Sequence, residues 1–128
     1  MSEENIIKVP FALFKANALM SNMVLVKNPD GSFSAKGNLD LHSRNLTALP
    51  MRFKEVAGHC FVDHNWLVTL DGCPKTVGGG FYCYHNNLTS LEGAPNEVGG
   101  DFHCDHNTVK FTVEDVKAVC DVKGEIYV

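Results

Sequence analysis

The stretch DGCPKTVGGGFYCYHNNLTSLEGAPNEVGGDFHC, residues 71–104, nearly repeats itself after 21 residues, and that step decides the fold. Carried outward over residues 38 to about 112, it places Leu39, Cys60, Phe81 and Phe102 in one column and Leu41, Val62, Cys83 and Cys104 in a second. Leu46, Leu67, Leu88 and Val109 make a third, Leu49, Leu70 and Leu91 a fourth, and Val56, Val77 and Val98 a fifth, with Gly58, Gly79 and Gly100 closing each turn. An amphipathic helical repeat would also give periodic apolar columns. Gly78-Gly79-Gly80, Gly99-Gly100, Pro74 and Pro95 would break any such helix, so a coil solenoid is expected.

Within one unit, Phe81-x-Cys83-x-x-Asn86-x-Leu88-x-x-Leu91 resembles the LxLxxNxLxxL core of a leucine-rich repeat, and residues 60–70 do so again. Two alternating apolar residues would point inward from a short strand. An Asn (Asn65, Asn86, Asn107) would bond backbone groups of the neighbouring coil at the bend, and later leucines would fill the interior. The expected fold is therefore a leucine-rich-repeat-like solenoid with a short parallel β-sheet and mostly non-helical return segments. The wording of the units is similar to short repeat proteins of tailed bacteriophages. That resemblance implies a phage source and the host cytoplasm, but no shared activity. Departures from the pattern are Arg44 at the first Asn site, Thr112 where Leu is expected, and Pro50 out of register with Pro74 and Pro95.

So short a solenoid needs capped ends. Residues 1–36 read as an N-terminal cap: a short helix or apolar segment over residues 10–20, then a β-hairpin over 23–35 turning on Asn28-Pro29-Asp30-Gly31. Residues 37–111 carry the repeats. Residues 112–128 read as a C-terminal cap, with a helix started by Thr112 and carrying Val113, Val116, Val119 and Cys120 at helical spacing, then a strand over 124–128. Ile126 and Val128 match Phe102 and Cys104 after 24 residues, the helix taking up the extra length.

Composition bounds the function. With 11 Lys+Arg against 15 Asp+Glu the formal charge is −4, which argues against a phosphate-binding surface and hence against a nucleic-acid partner. Residues 1–8 lack the basic start and apolar centre of a secretory signal, and no apolar run approaches the roughly 18 residues that span a bilayer, so no membrane association is expected. Five cysteines, an odd number with no CxxC pair, argue for free thiols, Cys83 and Cys104 being the pair best placed for an exception.

Between the inward positions, one column of the expected concave face is Asp40, Phe61, Tyr82, His103 and the next is His42, Asp63, Tyr84, Asp105. Ser43, His64, His85 and His106 form the lip where the strand enters the Asn bend. Imidazole and carboxylate are zinc ligands, so the cluster admits a metal or hydrolytic reading. A structural role is preferred, because a repeat places His every 21 residues for any reason that suits one coil, including a bond inside the bend. Cys83 and Cys104 read as inward fillers, Trp66 as packing, and no Ser-His-Asp order or phosphate loop stands out. Tyr82 and Tyr84 are large amphipathic rings that the core does not need. The expectation is a protein-binding module, not an enzyme, with no catalytic residue, metal ligand or cofactor. It would meet a host or phage protein through Tyr82, Tyr84, His85, Asp63, His64, His103, Asp105, His106, Phe61 and His42.

Overall fold

Each 21-residue coil crosses the molecule twice as a short strand, because it carries two apolar groups, one at Phe81 and Cys83 and one at Val77, separated by glycines. The computed structural model describes residues 6–8 and 24–128, and the segment expected over residues 10–20 lies outside them. In chain order the strands are β1 (Ile6–Lys8), β2 (Val24–Lys27), β3 (Phe33–Ala35), β4 (Leu39–Asp40), β5 (Phe53–Val56), β6 (Cys60–Phe61), β7 (Thr76–Val77), β8 (Phe81–Tyr82), β9 (Glu97–Val98) and β10 (Phe102–His103). Helix α1 (Val113–Val119), β11 (Asp121–Val122) and β12 (Ile126–Tyr127) follow.

These strands form two sheets. One has five parallel strands in the order β12-β10-β8-β6-β4, and the other has seven, β1-β2-β3-β5-β7-β9-β11, parallel from β3 onward. The solenoid and its non-helical return segments are as expected, but the Val56, Val77 and Val98 column is itself sheet structure, not simple return coil. Register is in steps of 21, Cys60 opposite Phe81 and Phe81 opposite Phe102, until β12, where Phe102 meets Ile126 after 24.

The core lies between the sheets. Phe81, Phe102, Leu39, Leu41, Val62 and Cys83 come from the five-stranded side and Val56, Val77 and Val98 from the other, with Leu67, Leu70 and Leu88 between them. Where the glycine corners of successive coils stack, backbone approaches backbone so closely that a Cβ on Gly78 would collide with the Ala57 carbonyl and one on Gly99 with the Gly78 carbonyl. Val109 departs from its column and is 39% exposed, since the chain there is turning from the last full coil toward the helix.

The bends are held by the asparagine ladder. Asn65 Nδ2 donates to the carbonyls of Leu41 (2.9 Å) and Val62 (3.1 Å), while its Oδ1 accepts from the Arg44 and Leu46 amides at 2.9 and 3.0 Å. Asn86 donates to Val62 and Cys83 and accepts from Leu67; Asn107 donates to Cys83 and Cys104 and accepts from Leu88. Each amide thereby ties one coil to the previous one.

At the N-terminal end the hairpin of β2 and β3 turns at residues 28–31, where Asp30 Oδ1 accepts from the Ser32 amide at 2.9 Å and Gly31 takes φ +91°. It caps that end by strand pairing: β3 pairs in parallel with β5, and β2 and β1 continue the seven-stranded sheet beyond it, with Leu25 of β2 fully buried. At the other end Thr112 and Asp115 form a reciprocal capping box, which explains a polar residue in a leucine column. Val116 and Cys120 are buried under α1, whereas Val119, expected on the same face, is 43% exposed. No helix among the described residues is long and apolar enough to cross a membrane.

Candidate functional site

In a parallel strand, successive side chains alternate sides, so the residues between the buried columns stand on the outer face of the five-stranded sheet. All ten residues singled out from the sequence lie on β4, β6, β8 and β10 or within three residues of their C-terminal ends. The spacing of paired strands, about 4.8 Å, is close to the stacking distance of aromatic rings, so in-register rings pile up. Phe61 stacks on Tyr82 with centroids 4.9 Å apart and planes 10° from parallel; Tyr82 meets His103 at 4.9 Å, and His103 stacks on Tyr127 at 4.2 Å. Tyr127 ends this ladder and was missed. The 24-residue match of Ile126 to Phe102 carried the signal, because it puts Tyr127 beside His103.

A second ladder runs along the lip. His64 stacks on His85 at 4.7 Å and His85 on His106 at 4.3 Å. All three are exposed on the surface, so a bond inside the Asn bend is not the reason the repeat places them there. Their backbones explain the residue type: Ser43, His64, His85 and His106 all have φ between 54° and 57°, a left-handed conformation that His adopts more readily than most side chains.

Between the ladders stand His42, Asp63, Tyr84 and Asp105. Asp63 Oδ2 accepts from His64 Nδ1 at 2.8 Å, Asp105 Oδ2 from His106 Nδ1 at 2.7 Å, and Asp40 pairs with His42 Nδ1. Asp63 is 5% exposed, so it is not the surface charge expected of it, and its Oδ1 has no hydrogen-bond partner among the described residues. Burial alone would raise the Asp105 carboxyl, but the hydrogen bond from His106, its own backbone amide and the nearby His106 and His103 rings outweigh it and hold it below the usual value. Tyr84, flanked by both carboxylates, has its hydroxyl pushed up by burial first and then by Asp63 and Asp105.

Ligands of one zinc must converge on it at about 2.0–2.1 Å, which ring-on-ring stacking of imidazoles does not by itself provide. Accordingly no group of three His, Cys, Asp or Glu among the described residues is placed to hold a metal ion. The Asp–His pairs resemble a base and its orienting group, but Ser43 makes no hydrogen bond to His64 among the described residues. All five cysteines are free and buried, and burial pushes the Cys83 thiol far up, so none is an activated nucleophile. Trp66, read as packing, is instead 56% exposed beyond the bend, beside Val68 at 47%. No protein-family model, curated protein or solved structure matches the chain.

Proposed function

We propose that this chain is a protein-binding module that seats its partner on the outer face of the five-stranded sheet. The observation that carries the reading is the ring ladder of Phe61, Tyr82, His103 and Tyr127 running beside the ladder of His64, His85 and His106. Rings already held by their neighbours lose little freedom on binding, and large aromatic side chains dominate interface energetics. The resemblance of the repeats to short phage-encoded proteins supports a finer proposal: the chain acts in the host cytoplasm by binding and modulating a host protein, for instance one belonging to antiviral defence. Capture from host lysate with the wild type and with Tyr82→Ala/Tyr84→Ala side by side tests this. A specific protein retained by the first and lost by the folded second is expected; a protein retained equally by both would contradict it.

A further inference from the structure

The two ends of the solenoid are built differently. At the first end the seven-stranded sheet runs two strands past the first coil, β2 and then β1, while the five-stranded sheet stops at β4. That end is stepped. At the other, β11 and β12 belong to the same last coil, so both sheets finish level. The Glu125 and Tyr127 carbonyls accept from the Phe102 and Cys104 amides at 2.9 and 3.0 Å, which turns the N–H and C=O of Ile126 to the side of β12 where no described strand lies. Side chains there also lack cover. Val122, Ile126 and Val128 continue the columns of Val98, Phe102 and Cys104, which are at most 1% exposed, yet all three remain partly exposed. Tyr127 has His103 stacked on one face of its ring and no ring of the described residues against the other. An edge with a free donor, a free acceptor and uncovered apolar side chains is a template for another strand.

The edge complements itself. Two copies of β12 brought together antiparallel about a two-fold axis at Ile126 exchange both bonds, each Ile126 N–H donating to the other copy's Ile126 carbonyl. The two Ile126 side chains then meet on the core side, and on the outer side each Tyr127 lies opposite Glu125 of the other copy. A head-to-tail stack is closed off. To set β12 beside β4 of the next copy, β11 would need the place beside β3 that β2 already fills. What remains is an isologous contact, which closes at two copies.

From this geometry we infer that two copies of the chain associate end to end through β12, as a two-fold dimer whose five-stranded sheets run on as one. The axis is perpendicular to the shared sheet, so both ring-lined faces look the same way. The dimer does not depend on what those faces bind.

Sedimentation equilibrium of the full chain between about 10 μM and about 1 mM tests this, because pairing through one short strand buries less than the roughly 800 Å² per partner of a standard interface and should be weak. The mass should rise from monomer toward dimer and stop there. Tyr127→Glu sets like charges opposite each other twice across the axis and should weaken association at least about tenfold. Adding Glu125→Lys gives those pairs opposite signs and should restore affinity to within about threefold of wild type. Both residues are exposed, so the variants should keep the fold, which their melting curves check. Trp66→Ala, which alters the exposed patch at an earlier bend, should leave association unchanged. Without any variant, the Ile126 amide should exchange with solvent more slowly as concentration rises. A monomer throughout the range, growth past the dimer, a folded Tyr127→Glu variant that associates like wild type, a double variant that stays monomeric, a Trp66→Ala variant that no longer associates, or Ile126 exchange indifferent to concentration would each overturn the β12 contact.

Discussion

His85 lies flat against His106, centroids 4.3 Å apart and planes 13° from parallel, and both residues hold a left-handed backbone, φ 55° and 57°. The stack is thus set by the backbone of two successive bends, each of which aims its imidazole outward at the same angle. A side chain that resists positive φ should disturb the bend itself, not merely remove a ring.

Replacing His85 by Val should accordingly cost about 1–2 kcal/mol more than replacing it by Asn, because a β-branched residue pays the steric penalty of the left-handed region and Asn largely escapes it. Urea unfolding of the two variants decides this, and equal stabilities would contradict the left-handed assignment.

Asn86 is 7% exposed, and its side chain bonds the carbonyls of Val62 and Cys83 and the Leu67 amide. Asn86→Ala leaves those backbone groups without a partner and should destabilise the fold by about 1–3 kcal/mol. A loss of only a few tenths would remove the asparagine ladder from the account of what joins the coils.

Stability should drain away in alkali. Burial pushes the thiols of Cys60 and Cys83 far above their ordinary range, that of Cys104 up to about 12 and that of Cys120 up to about 11. Raised folded-state values mean that the contribution is complete below the unfolded thiol's pKa, near 8.5, and is lost as pH climbs toward the folded value. Each fully buried thiol should remove about 1.4 kcal/mol per pH unit above roughly pH 8.5. Unfolding free energies at successive pH values between these limits should fall steeply, while thiol reagents leave the native protein untouched. A flat profile would mean the cysteines are not buried.

Acid works in the opposite direction at the other ladder. Asp105 is held below its ordinary value, so its share of stability is present above the unfolded carboxylate pKa, near 3.9, and disappears as pH falls through the folded one. Asp105→Asn should therefore flatten the acid limb of the stability profile. An unchanged limb would show that the His106 pairing contributes nothing.

Much of this is legible in the residues alone. The columns of Leu39, Cys60, Phe81 and Phe102, the asparagine bends and the Thr112 cap each follow from residue types repeated at a fixed step, and repetition averages out local ambiguity. The face residues were legible for the same reason, since alternation with a buried column leaves them one direction. The second sheet was harder to read: each of its strands β7 and β9 offers one buried residue, Val77 or Val98, with no second inward partner two positions on to show alternation. The outward turn of His64, His85 and His106 depends on backbone φ, which a histidine does not announce as a glycine does. Burial of Asp63 arises from neighbours one coil away, and exposure of Trp66 from a position with no counterpart ring in the next coil, where Asn87 stands.

The central claim is that the ring-lined face binds the partner. It is tested most directly by titrating the captured, purified partner against the wild type and Tyr82→Ala/Tyr84→Ala, with thermal unfolding of both. The account predicts affinity weakened by at least about 2 kcal/mol, roughly thirtyfold, with the melting temperature nearly unmoved. Unchanged affinity in a folded double variant would contradict it and place the binding site elsewhere on the molecule.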